Sequence, residues 1–228
     1  MTPMSKVRTL LSLTALILVG VLAVSAASQT GIITINGGRT TVSMQGQLGK
    51  VQSRVQPLAP GLVTIYSNLG PAGSEYDCCV GWTVSGARSQ VGASIYSAMA
   101  FTPNANYAVG RIDLAAGNVS GSNGVVVTLT DDQGGVPGNI IHTWRLTNLT
   151  TFGTCCTLED LQGGSQAVIT GGVQYWIVER ALQPDTWDAW NYNDTGATGT
   201  GAQKYNGTWS VFPGSTLGAL AVYGAPTN

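Results

Sequence analysis

The amino-acid sequence predicts an all-β protein, an antiparallel two-sheet sandwich of jelly-roll type with about nine strands. Apolar and polar residues alternate with a period of two in several segments, as on strands that bury one face. These segments recur at intervals of roughly 8 to 15 residues, separated by Gly, Asn, Asp and Pro. No stretch of about twelve residues shows the apolar spacing of a helix.

The strand signals follow one another from residue 62 onward. The alternation places Ile112 and Leu114 on one face of their strand and Arg111 and Asp113 on the other. The glycine-rich stretch 131–138 predicts a turn between two paired strands. The predicted strands are 62–66, 91–101, 107–115, 125–129, 140–146, 167–169, 173–179, 208–212 and 217–223.

The first 60 residues differ from the rest. Lys6 and Arg8 precede the apolar run 10–23, and small residues follow, which is the layout of a secretory signal peptide. The apolar run is shorter than the roughly 20 residues that a membrane-spanning helix needs. We therefore predict a signal peptide at 1–27, a linker or loosely attached N-terminal arm at 28–60 and a β-sandwich domain at 61–228, with no transmembrane segment after cleavage.

The charge balance narrows the range of ligands. Charged residues make up 9% of the chain and apolar residues 43%, which is enough to fill a core. Loss of Lys6 and Arg8 with the signal peptide leaves eight basic residues against eleven acidic ones. A nucleic-acid partner is therefore not expected, because phosphate backbones are bound by an excess of Lys and Arg.

The four cysteines form two adjacent pairs, Cys78-Cys79 and Cys155-Cys156, both in segments with turn-forming residues. An even number of cysteines in an exported chain indicates disulfides. Two pairings would join the pairs to each other, and the third joins each cysteine to its neighbour. A zinc site is the alternative, although structural zinc ligands are usually spaced as C-x2-4-C.

Several blocks between residues 62 and 224 resemble one family. They are 64–70 (TIYSNLG), Tyr76, 81–86 (GWTVSG), 98–103 (AMAFTP), 131–138 with Trp144 downstream, 172–178 (GVQYWIV) and 185–191 (DTWDAWN). Together they resemble bacterial choice-of-anchor domain proteins, whose members carry varied C-terminal sorting signals such as PEP-CTERM. The resemblance implies a secreted β-sandwich without established chemistry. The sequence departs from that group in its paired cysteines and in lacking a recognisable C-terminal anchor.

Residues that could carry catalysis are sparse. His142 is the single histidine, which excludes a three-His zinc site, and no Gly-x-Ser-x-Gly nucleophile elbow is present. Paired carboxylates could support glycoside hydrolysis. The candidates are Glu75 with Asp77, Glu159 with Asp160, Glu179, and Asp185 with Asp188, but no segment fixes two of them at a defined distance. The sequence therefore favours a noncatalytic protein.

Asp131 and Asp132 are the candidate metal ligands. Calcium takes carboxylate oxygens, and it is the one cofactor that the sequence suggests. The turn lacks the spaced acidic ligands of a calcium loop, and Asp and Gly also occur in turns for backbone reasons. Turn formation is the simpler interpretation of both residues.

The segment 187–194 is the candidate ligand site. Trp187, Asp188, Trp190, Asn191 and Tyr192 combine aromatic rings with an acid and an amide. Aromatic faces stack on sugar rings, and nearby polar groups bond the hydroxyls, so the segment suits a shallow carbohydrate site. Packing of the two indoles in a β core is the competing interpretation.

These observations favour a secreted or cell-surface, noncatalytic module that acts in adhesion, extracellular matrix or glycan binding. The expected partners are extracellular polysaccharide or surface proteins. Two alternatives stay open. One is a secreted carbohydrate-active hydrolase that uses a carboxylate pair, with Glu179 and Asp188 as residues to test. The other is a self-assembling surface subunit in which 28–60 donates a strand.

Overall fold

The computed structural model describes residues 31–47, 49–50 and 56–228. Every regular element in this part of the chain is a β-strand, which confirms the all-β prediction. Within the same residues no helix has the length and apolar character needed to cross a membrane. The predicted signal peptide at 1–27 lies outside the described residues.

Eighteen strands follow one another along the described chain. The first nine are β1 (Ile32–Asn36), β2 (Arg39–Ser43), β3 (Gly49–Lys50), β4 (Val63–Ser67), β5 (Tyr76–Ser85), β6 (Ile95–Phe101), β7 (Tyr107–Leu114), β8 (Ala116–Ser120) and β9 (Gly124–Asp132). The others are β10 (Pro137–Thr147), β11 (Thr150–Thr151), β12 (Thr154–Cys155), β13 (Glu159–Ile169), β14 (Tyr175–Ala181), β15 (Trp187–Asn193), β16 (Thr198–Tyr205), β17 (Thr208–Thr216) and β18 (Leu220–Pro226).

The larger of two main sheets contains 12 strands. Eight of them form a row in the order β10-β9-β14-β6-β5-β15-β8-β11. The hairpin β16–β17 joins this row through β6, and the hairpin β1–β2 joins it through β5. The pairing is antiparallel apart from the short contact between β8 and β11. A separate parallel pair, β3 with β12, has two residues in each strand.

The smaller sheet is antiparallel, with the order β13-β7-β18-β4, and it packs against the larger one. Ile112 and Leu220 from the smaller sheet share one buried cluster with Val127, Leu129 and Ile177 from the larger sheet. Each buried side chain of this kind contributes about 1.5–3 kcal/mol. The two sheets therefore form a sandwich around a single main core.

The number of strands is twice the predicted nine. The glycine-rich segment 196–201 has the composition of a loop, yet β16 begins at Thr198. Gly201 lies against Trp82, where an added Cβ would come within 2.8 Å of the indole ring. Here glycine permits close packing within a strand, and composition alone does not distinguish this use from a turn.

The described part of the N-terminal arm belongs to the sandwich. Strand β2 pairs with β5, and Val42 is fully buried against Trp187 and Phe152. The expectation of a loosely attached arm over 28–60 is therefore wrong for 31–47. The pairing of β2 with β5 joins segments about 40 residues apart, so the local sequence does not predict it.

A buried ion pair holds the next part of the arm. Arg111 donates from Nε and Nη2 to the Asp113 carboxylate at 2.6 and 2.8 Å, and from Nη1 to the Gln56 carbonyl at 2.9 Å. Arg111 and Asp113 are 2% and 1% exposed. Gln56 and Pro57 thus lie next to this pair, on the outer face of the smaller sheet.

We predict that Arg111→Met destabilises the protein strongly, because it leaves the Asp113 carboxylate buried without its partner. Loss of one member of a buried ion pair costs about 3–5 kcal/mol. Arg88→Met removes an exposed guanidinium and is the matched control, with an expected change within about 0.5 kcal/mol. Urea denaturation measures both. Similar losses in the two variants would contradict a structural role for the buried pair.

Candidate functional site

The segment 187–194 lies in the core and not on the surface. Residues 187–193 form β15, a strand with β5 on one side and β8 on the other. Trp187 is 2% exposed and Trp190 is fully buried. Gly218 lies so close to Trp190 that an added Cβ would be 2.6 Å from its ring. Neither indole offers a face to a sugar, so the prediction that they stack on a ligand is wrong and the packing interpretation is right.

The polar members of the same segment are used inside the protein. Trp190 Nε1 donates to the Ala219 carbonyl at 3.0 Å, and Asn191 Nδ2 donates to the Asp77 carbonyl at 2.9 Å. Tyr192 is half-buried, with its ring centroid 6.5 Å from that of Trp82. These contacts join β15 to its neighbours, which explains the mixture of aromatic and polar residues without a ligand.

Two carboxylic acids lie inside the sandwich. Glu179 on β14 and Asp188 on β15 are both fully buried. Asn118 Nδ2 donates to Asp188 Oδ1 at 2.8 Å. The other Asp188 oxygen and both Glu179 oxygens have no hydrogen-bond partner among the described residues. A hydrolase needs its carboxylates open to substrate, so this burial disfavours the catalytic use of either residue.

Burial sets the protonation of these acids. It raises the pKa of Glu179 well above its ordinary value, and the negative charges of Asp188 and Glu159 raise this pKa further. Burial also raises the pKa of Asp188 to about 8, against the opposing hydrogen bond from Asn118. The half-buried Glu159 has its pKa raised to about 7, again by burial. The folded protein therefore binds protons here more tightly than the unfolded chain does.

The candidate calcium ligands are occupied by protein donors. Asp131 accepts hydrogen bonds from the Asn139 backbone and side chain and from Gln133. Asp132 accepts hydrogen bonds from Gln174 and Trp176 side chains on one oxygen and from the Gly135 backbone on the other. Both Asp131 oxygens and one Asp132 oxygen thus tie the end of β9 to the turn and to the start of β10, and the other Asp132 oxygen ties it to Gln174 and Trp176. This arrangement gives both residues a structural role at the β9–β10 turn, and calcium binding stays a prediction.

The cysteines form two disulfides between sequence neighbours, Cys78–Cys79 and Cys155–Cys156. This is the third of the three pairings considered. Cys78 and Cys79 lie within the long strand β5, not in the turn expected for them. The two pairs meet in space, since Cys78 packs against the buried cluster that contains Tyr76, Cys155 and Cys156.

A groove on the outer face of the larger sheet is the site that sequence reasoning missed. We call it the outer groove; its volume is about 150 Å³. Strands β6, β9, β10, β14, β16 and β17 contribute its residues. They are Tyr96, Thr128, Thr130, Pro137, Gly138, Ile140, Val178, Arg180, Lys204 and Trp209.

The floor of the outer groove carries an unused hydroxyl. Thr128 and Thr130 are 5% and 3% exposed, and they alternate along β9 with Val127 and Leu129, which face the main core. Thr130 Oγ1 is buried and has no hydrogen-bond partner among the described residues. A buried hydroxyl without a partner is costly, so a polar ligand atom in the groove would find a ready partner there.

The side of the outer groove combines aromatic rings with a cation. Lys204 on β16 lies opposite Tyr96 on β6 and opposite Trp209 on β17. Its Nζ lies 5.9 Å from the Tyr96 ring centroid and 5.8 Å from the Trp209 ring centroid, and both residues are partly exposed. The groove therefore offers apolar ring surface, a positive charge and a hydroxyl.

The sequence does contain a weak signal for the outer groove. Tyr96 and Trp209 occupy the faces of their strands opposite to the apolar core positions, where smaller polar residues are usual. That pattern indicates that each residue faces outward. It does not show that β6 and β17 lie on either side of β16.

Comparison with known proteins gave no matching family model, no similar curated protein and no similar solved structure. The resemblance to choice-of-anchor domain proteins therefore stays a hypothesis that rests on the sequence blocks alone.

Peptide mapping tests the disulfide pairing. Trypsin cleaves after Arg54, Arg88, Arg145 and Arg180, so a digest without reductant should release 55–88 and 146–180 as separate peptides. Each should be lighter by one pair of hydrogens than after reduction, because each contains its own disulfide. A single species that joins the two peptides would show that the pairs are bonded to each other. The reduced digest is the control.

The buried acids predict a stability that falls as pH rises. In the unfolded chain the pKa values are about 3.9 for Asp and 4.3 for Glu. Below about pH 4 the acids are protonated in both the folded and the unfolded state, so the free energy of unfolding is not reduced by their burial. Stability is then lost as the pH rises through the folded values, about 7 for Glu159 and about 8 for Asp188. Glu179→Gln and Asp188→Asn should each flatten the decline in unfolding free energy between pH 5 and about 8.

Asp185→Asn is the matched control for this pH dependence. Its carboxylate lies on the surface, where hydrogen bonds, first among them one from Ser122, lower its pKa. This variant should keep the decline seen in the unsubstituted protein. A decline of equal slope in all of the variants, measured by urea denaturation at several pH values, would rule out the buried acids as its source.

Proposed function

We propose that the chain is a secreted, noncatalytic β-sandwich module that binds extracellular polysaccharide through the outer groove. The observation that carries the proposal is the combination in one concave surface of partly exposed Tyr96 and Trp209 with the hydroxyl of Thr130, which has no partner among the described residues. Rings of this kind stack on sugar faces, while a buried hydroxyl fixes a sugar hydroxyl by a hydrogen bond. The extracellular setting rests on the signal-peptide pattern at 1–27 and on the family resemblance.

A noncatalytic role agrees with the residues of the groove. Among the described residues that line it there is no Asp, Glu or His. Glu179 and Asp188 lie inside the sandwich, where substrate has no access. Glycoside hydrolysis with two carboxylates therefore has no support from the outer groove.

The self-assembly alternative has less support. It required 28–60 to donate a strand to another copy, but β2 already pairs with β5 in its own chain. Donation would have to break this pairing and expose Val42, which is fully buried. Polysaccharide binding needs no such rearrangement.

We predict that Trp209→Ala and Tyr96→Ala each weaken binding to polysaccharide. Loss of an aromatic residue at the centre of a binding site costs about 2 kcal/mol or more, which is roughly 30-fold in affinity. Calorimetry or affinity electrophoresis against a panel of neutral and acidic polysaccharides measures this. Both variants should still unfold cooperatively, because each ring is only partly buried and packs at the margin of a small cluster outside the main core.

Tyr205→Ala is the control for these variants. Tyr205 is 48% exposed and lies next to Lys204 on β16, but it does not line the groove. Its replacement should leave binding unchanged. Equal binding by Trp209→Ala, Tyr96→Ala and Tyr205→Ala, or no binding of any polysaccharide by the unsubstituted protein, would refute the proposal.

A further inference from the structure

The outer face of the larger sheet carries a row of basic residues in line with the outer groove. Arg145 on β10 and Arg180 on β14 both lie opposite Val126 on β9, one on each side of it. Glu179 pairs with Ser97 on the antiparallel strand β6. The adjacent residues, Arg180 on β14 and Tyr96 on β6, therefore lie side by side. Beyond Tyr96 the same row continues with Lys204 and Trp209. We call Arg145, Arg180 and Lys204 the cationic row.

The cationic row has a regular spacing. Its three members lie on β10, β14 and β16, and a single strand separates each from the next: β9 between the first two and β6 between the last two. Neighbouring strands are about 4.8 Å apart, so successive members are roughly 10 Å apart at their backbones. The row runs across the strands, which is also the direction from β9 to β17 along the groove.

No carboxylate of the described residues forms an ion pair with the cationic row. Both ion pairs found among the described residues involve Arg111, which lies on the smaller sheet. Asp131 and Asp132 lie at the end of β9 beside the groove, but other protein donors already occupy their oxygens. Glu179 precedes Arg180 and points to the opposite face of the sheet, as alternation along a strand requires.

The concentration of basic residues is notable because the chain is poor in them. The structure describes six basic side chains, and three of these form the cationic row; the others are Arg39, Arg88 and Arg111. The whole chain carries a formal charge of −1. Unpaired positive charge in a row on an acidic protein is the electrostatic complement of a ligand with repeated negative charges.

Tyr96 and Trp209 hold Lys204 in place without removing its charge. The ammonium group lies near the faces of both rings, and such contacts orient the side chain while leaving its N–H donors for a ligand. Arg180, on the other side of Tyr96, presents a planar guanidinium, which binds a carboxylate through two parallel hydrogen bonds. An aromatic ring between two cations can meet a sugar ring and its acidic group together.

From these contacts we infer that the ligand of the outer groove is an anionic polysaccharide whose sugars carry carboxylates, lying across the strands along the cationic row. This inference rests on the proposed function, since it names the class of polysaccharide that the same groove binds. The carboxylates pair with Arg180, Lys204 and Arg145 while the sugar rings contact Tyr96 and Trp209.

The test compares uronate polymers with their own neutral forms. Polygalacturonate, alginate and hyaluronate are each measured before and after chemical reduction of their carboxyl groups. At least one acidic polymer should bind, and its carboxyl-reduced form should bind at least about tenfold more weakly, the factor expected for one charge-assisted hydrogen bond. Binding should also weaken as salt rises from 50 to 200 mM, because exposed charges are screened.

Substitution of single basic residues tests which of them bind the carboxylates of the polymer. Arg180→Met and Lys204→Met should each weaken binding of the acidic polymer about tenfold and leave binding of the reduced polymer unchanged. Arg145→Met, at the end of the row and outside the groove, should have a smaller effect that grows with polymer length. Arg88→Met replaces an exposed arginine outside the row and is the control.

The outcomes separate this inference from the proposed function. If acidic and carboxyl-reduced polymers bind equally and Trp209→Ala still abolishes binding, the groove binds polysaccharide but the anionic class is wrong. If Arg88→Met weakens binding as much as Arg180→Met, general attraction to positive charge explains the result and the cationic row is not the site. If no polymer binds, both the inference and the proposed function fail.

Discussion

The structure depends on the exclusion of water between two sheets of unequal size. The inner face of the four-stranded sheet covers part of the larger sheet, and the apolar side chains of both faces form the main core. Because successive residues of a strand point to opposite sides, this burial also decides what faces outward. On β9 it places Val127 and Leu129 inside and Thr128 and Thr130 on the floor of the outer groove. Core and candidate site are therefore two sides of the same strands.

The same burial decides the hydrogen bonding and the protonation of polar residues in the interior. Arg111 donates two hydrogen bonds to Asp113, one to each carboxylate oxygen. A third nitrogen of its guanidinium donates to the carbonyl of Gln56. Glu179 and Asp188 have no such compensation for most of their oxygens, so desolvation keeps their protons on. Burial without a counter-charge explains why these acids are unsuited to act on an external substrate and why they couple folding to pH.

The contrast between 187–194 and the outer groove shows what local composition can and cannot indicate. Both contain aromatic and polar side chains, and the sequence favoured the first because its members are contiguous. In the folded protein Trp190 lies between β5 and β8 and is covered by Gly218, whereas Trp209 lies on the β16–β17 hairpin and stays partly exposed. Exposure is decided by what packs on a strand, and that packing comes from distant parts of the chain.

The sequence by itself determined the all-β class, because alternation with a period of two and the recurrence of turn residues are local properties. It also determined that a turn follows Asp132 in the glycine-rich stretch, and that Ile112 and Arg111 face opposite sides of one strand. Tertiary structure alone decided that 31–47 joins the larger sheet and that each cysteine pairs with its neighbour. It alone also aligned Arg145, Arg180 and Lys204 with Tyr96 and Trp209. The attachment of 31–47 and the alignment of the three basic residues arise from pairing between strands far apart in the chain, and the register of such pairs is set by the packing of the whole sandwich.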